Sequence, residues 1–143
     1  MATAIETLSL IARKLIQSET RFAGADEPKR QRTSRLFTRI SSGIGALVSD
    51  LNRDKLPHAP CRELTQCSSK LAEAISDEVG PQEAERLAEA LGKACEKEVL
   101  YLEFRRSPHK PHLIEEMEKS SILLQALAHG IYRVPMEGLG RTS

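Results

Sequence analysis

The chain has 143 residues, of which 40% are hydrophobic, 29% charged and 3% aromatic, and its formal net charge is +1. That length suits one compact domain that buries roughly 68% of its unfolded surface, so folding requires neither metal nor disulfide. With no Trp, two Tyr and three Phe, the core must be aliphatic, and there is little material for the aromatic platforms on which single-stranded nucleic acids stack.

No run approaches the roughly 18 to 20 apolar residues of a membrane span. The opening MATAIETLSLIARKLIQSET lacks the basic-then-apolar layout of a signal peptide. Cys61, Cys67 and Cys95 are odd in number and sit inside helical patterns, which points to reduced thiols in a cytoplasmic protein. The same composition is compatible with export into another cell's cytosol.

Ile5, Leu8, Ala12 and Leu15 recur at helical spacing and predict a first helix over about 3 to 22. Gly24, Asp26 and Pro28 interrupt the pattern and predict a polar loop over 23–31. Thr33 or Ser34 then caps a second helix, whose apolar stripe is Phe37, Ile40, Ile44, Leu47 and Leu51. Gly43 and Gly45 each weaken that helix by up to about 1 kcal/mol relative to alanine, so each needs a reason: close packing against a neighbouring helix, or a local bend that exposes a binding surface.

The stretch Pro57-His58-Ala59-Pro60 ends this helix. Leu64, Cys67, Leu71, Ala74 and Ile75 mark the third, and Gly80-Pro81 separates it from a fourth, with Pro81 in the first turn. Ala84, Leu87, Leu91, Ala94, Cys95 and Val99 carry the fourth helix through to Leu102. After a basic, proline-bearing break at 105–111, the fifth runs along Leu113, Ile114, Met117, Leu124, Leu127 and Ile131. The expectation is an all-α, compact bundle of about five amphipathic helices spanning 1–134. Pro135, Gly138 and Gly140 predict a flexible C-terminal tail over 135–143.

The near-neutral total conceals two opposed segments. Residues 29–62 hold eight Lys or Arg against two Asp, whereas 63–100 hold four basic against nine acidic residues. Lys29, Arg30, Arg32, Arg35 and Arg39 form the concentrated basic element and are the candidate interaction residues. Their charges suit a solvated loop, an acidic protein surface, nucleic-acid phosphates or anionic lipid headgroups.

Catalytic patterns are sparse. Ser41-Ser42-Gly43-Ile44-Gly45 lacks the Lys-Ser/Thr ending of a phosphate loop. His109 and His112, with His58, Cys61 and Cys67 upstream, do not make a convincing zinc ligand pattern. A histidine on a helical bundle can relay a phosphoryl group, which makes His129, beside Gly130, the one weak phosphotransfer candidate. No catalytic, metal or cofactor residue is assigned, and no cofactor is expected. The sequence therefore predicts a helical protein–protein interaction module, a regulator, adaptor or effector with a protein partner and scope for self-association. The alternatives are phosphotransfer or arginine-assisted regulation of a nucleotide-dependent partner, and a nucleic-acid-associated protein that uses the basic segment 29–39.

Overall fold

A computed structural model describes residues 3–142, with side chains as far as Tyr132. The fold is all-α, as expected, with seven helices and no strand among the described residues: α1 (Ala4–Gln17), α2 (Glu19–Ala23), α3 (Glu27–Asn52), α4 (His58–Val79), α5 (Pro81–Ala94), α6 (Lys97–Arg106) and α7 (Lys110–Thr142). The five long helices pack as a closed ring in the order α3, α4, α5, α1, α7, and the short α2 and α6 fill connections at its ends. The expected tail, 135–143, lies outside the residues whose side chains are described.

The count exceeds five because two expected helices are broken. At Ser18 the backbone departs from the helix (φ −101°, ψ 14°), and the Ser18 amide closes the last turn of α1 onto the Leu15 and Ile16 carbonyls. At Cys95 the amide closes α5 onto Gly92 and Lys93, and extended Glu96 restarts the chain as α6. Neither break carries glycine or proline at the breaking residue, so local sequence gives no stop signal.

The expected loop over 23–31 is also corrected. Asp26 accepts a hydrogen bond from the Lys29 amide at 3.0 Å, and Pro28 lies in the first turn. A capping aspartate followed by proline starts α3 at Glu27 rather than at Thr33 or Ser34. The basic cluster is consequently a helix face and not a loop.

Packing explains one of the two glycines of α3. A Cβ placed on Gly43 would lie 2.8 Å from Leu64 Cδ2 and 2.9 Å from Leu64 Cγ, so glycine there lets α3 and α4 approach. Gly80 adopts φ 94°, a conformation glycine tolerates, and turns the chain into Pro81 at the start of α5. The core is mainly aliphatic, with Phe22 and Phe37 meeting edge to face at 5.2 Å between ring centres.

Hydrogen bonds from Ser34 to the Ala128 carbonyl (2.8 Å) and from Ser41 to the Ser121 carbonyl (2.7 Å) set α3 antiparallel to α7. Helix α1 runs parallel to α7, since Ser9 meets Glu116 while Glu19, in the following helix, lies beside Gly130. This arrangement puts the chain's first and last long helices side by side and leaves a groove between them.

Candidate interaction surfaces

The basic candidates divide into paired and exposed residues. Lys29 Nζ lies 2.8 Å from both Asp77 Oδ2 and Glu78 Oε2, which join the start of α3 to the end of α4. Burial pulls the Lys29 pKa down, but the hydrogen bonds and charges of Asp77 and Glu78 outweigh it and hold the ammonium above its ordinary value. Glu78 is only 8% exposed. Its backbone carbonyl accepts a hydrogen bond from Arg21 at 3.0 Å. Arg30 donates to the Ala25 carbonyl within the turn before α3.

Arg39 donates to a single oxygen of Glu63 through Nε at 2.7 Å, and a terminal nitrogen approaches the same oxygen at 2.6 Å. That hydrogen bond raises the guanidinium pKa further. Arg32 and Arg35 are exposed on α3. Thus Lys29, Arg30 and Arg39 secure their own fold, and the cluster's outward charge resides on Arg32 and Arg35.

His129 is exposed on α7. A Cβ on the adjacent Gly130 would lie 3.1 Å from Glu19 Oε1, so that glycine admits α2 to the side of α7. This intramolecular contact accounts for the small residue next to His129.

The histidines and cysteines do not assemble as ligands: among the described residues, no group of three His, Cys, Asp or Glu is placed to hold a metal. They do meet in a second arrangement. His58, Cys61 and Thr65 of α4 face Cys95 and Lys97 across a cleft of about 370 Å³. Lys97 Nζ lies 2.8 Å from His58 Nδ1, and because an ammonium only donates, Nδ1 accepts.

All three cysteines are free and buried. Burial pushes the Cys61 thiol up to about 11 despite the nearby Lys97 charge, and pushes Cys95 up to about 12 with smaller contributions from Cys61 and Cys67. Burial likewise raises Cys67. Protonated thiols are poor nucleophiles at neutral pH, so the cleft lacks an activated sulfur.

The larger concavity, about 410 Å³, lies between α1 and the start of α7. Ile5, Leu10 and Leu113 give it apolar walls, Glu6, Arg13 and Glu116 ring them with charge, and His112 adds an imidazole. Ser9 hydroxyl donates to Glu116 Oε2 at 3.3 Å, and the Arg13 guanidinium lies 3.8 Å from the same oxygen. Arg13 keeps 64% of its side chain exposed, so this bridge is a weak one that an incoming charge can displace.

Leu10 is 51% exposed although it belongs to an amphipathic helix. Its place outside the α1 stripe is visible in the sequence. The convergence with Leu113 and Glu116 is not, because it depends on the parallel packing of two distant helices.

No known protein family, curated protein or solved structure matches the chain. The fold and surfaces define an all-α helical bundle, and function has to be argued from the side chains themselves.

Proposed function

We propose that this protein is a helical protein–protein interaction module whose docking site is the α1–α7 groove. The observation that carries this reading is the half-exposed Leu10 on an apolar wall bounded by Glu6, Arg13, His112 and Glu116. An apolar anchor entering such a groove gains affinity from burial, while rim charges select orientation and raise the rate of encounter. The fitting partner presents an apolar side chain flanked by a cation, which enters beside Leu10 and competes with Arg13 for Glu116. Arg32 and Arg35, on another face, steer approach without forming the seat.

The test is affinity capture with the intact chain, followed by binding measurements on the purified partner. Leu10→Asp should weaken association at least about tenfold, the scale of one lost anchor, with helicity unchanged. Equal binding by wild type and Leu10→Asp would refute the groove as the seat. Recovery of nucleic acid in place of protein would refute the interaction reading itself.

A further inference from the structure

Gly45 meets no close packing neighbour among the described residues. It lies in the interior of α3, where glycine weakens the helix relative to alanine, yet a Cβ placed there would meet only Ser121 Oγ at 3.8 Å, an ordinary contact. Gly43, two residues earlier, is explained by Leu64. Around Gly45 the outer face of α3 is low: Ser42, Ala46 and Ser49 are all small and exposed.

Across the α3–α7 seam, the residue after Ser121 is Ile122, 66% exposed and the most exposed large apolar side chain among the described residues. One face therefore carries both a hollow, on α3, and a projection, on α7.

The charges toward one end of the two helices are complementary in sign. Arg53, the C-cap residue of α3, is exposed, and Glu115 and Glu118 are exposed on α7. The antiparallel register fixed by Ser41 and Ser121 puts Arg53 and Glu115 toward the same end of the face. A two-fold axis along the α3–α7 seam lays each α3 over the other copy's α7. That superposition brings projection onto hollow and base toward acid in both halves at once, as an isologous interface requires.

We propose that the α3–α7 face is a homodimer interface, with Ile122 of each copy seated on Gly45 of the other and Arg53 facing Glu115 across the rim. The occupant is a second copy because the hollow, the projection, Arg53 and the Glu115 and Glu118 pair all lie on this single face. The site is distinct from the α1–α7 groove, so the outcome here and the outcome for that groove can be told apart.

Sedimentation equilibrium of the full chain tests the interface. Wild type should be dimeric at micromolar concentration. Ile122→Asp and Gly45→Arg, which alter different helices at exposed positions, should each sediment as monomers with unchanged far-UV circular dichroism. Arg53→Glu should weaken dimerisation by roughly tenfold, and adding Glu115→Arg should restore it. A monomeric wild type, or persistence of the dimer in either Ile122→Asp or Gly45→Arg, would overturn the proposal. Failure of the charge-swapped pair to recover would overturn the assigned orientation.

Discussion

Gly43→Ala should destabilise the protein, and the same substitution should stabilise it once Leu64 is removed. Alanine in place of an interior helical glycine gains about 1 kcal/mol. Against that gain stands the approach of the new methyl to Leu64, at 2.8 Å from Cδ2 and 2.9 Å from Cγ, where carbon contacts prefer about 3.5 to 4.0 Å. Leu64 is fully buried, and Cγ is not the free end of a flexible chain, so neither side chain can turn aside into solvent. Overpacking of this kind costs about 2 kcal/mol. The net loss is about 1 kcal/mol, a fall of about 3 °C in Tm for a chain of this size.

Leu64→Ala removes all three Leu64 atoms near the new Cβ and costs about 3 kcal/mol on its own. In that background Gly43→Ala should recover up to about 1 kcal/mol through helix propensity. The four chains form a double-mutant cycle with a coupling of about 2 kcal/mol, measured by urea unfolding followed by circular dichroism. A Gly43→Ala effect of the same sign and size in both backgrounds would refute the close-approach explanation.

Lys29→Met should cost about 3 kcal/mol, because it leaves buried Glu78 without its cation, whereas Arg32→Gln combined with Arg35→Gln should change stability by less than about 0.5 kcal/mol; thermal unfolding of the two variants separates fold-supporting from outward-facing bases. The hydrogen bond and charge of Lys29 hold the Asp77 pKa below its usual value. Asp77 therefore contributes stability above the ordinary carboxylate pKa and loses it as pH falls through its lowered one, so Asp77→Asn should flatten the acid limb of the unfolding curve. Lys29, held above its ordinary pKa, contributes below that value and loses the contribution as pH rises through the raised one. Equal acid limbs for wild type and Asp77→Asn would contradict the first assignment. Alkylation of Cys61 and Cys95 in the native protein should be slow at neutral pH and fast in urea, with mass spectrometry reading each site; rapid native labelling would contradict their burial and raised pKa values.

The long amphipathic stripes are legible in the sequence: Ile5, Leu8, Ala12 and Leu15 on α1, and Phe37, Ile40, Ile44 and Leu47 on α3, are all buried. So is the turn at Gly80-Pro81. The start of α3 is ambiguous in the sequence because aspartate and proline serve turns as well as helix N-termini; here Asp26 caps and Pro28 occupies the first turn. The breaks at Ser18 and Cys95 depend on tertiary packing and leave no punctuation in the sequence. Charge counting finds the basic cluster, but it cannot divide Lys29 and Arg39 from Arg32 and Arg35. That division needs the register between α3 and α4, which brings Asp77, Glu78 and Glu63 to their partners. The α1–α7 groove was beyond reach for the same reason: Leu10 and Glu116 are neighbours of one cavity only after the chain's two ends have packed in parallel.

Backbone amide chemical-shift mapping of the isotopically labelled protein, titrated with its captured partner, tests the interaction reading most directly. Saturable shifts should concentrate on Leu10, Arg13, Leu113 and Glu116, the residues that wall and rim the α1–α7 groove. Saturable shifts confined to Arg32, Arg35 and their neighbours on α3, with α1 and the start of α7 unmoved, would contradict it.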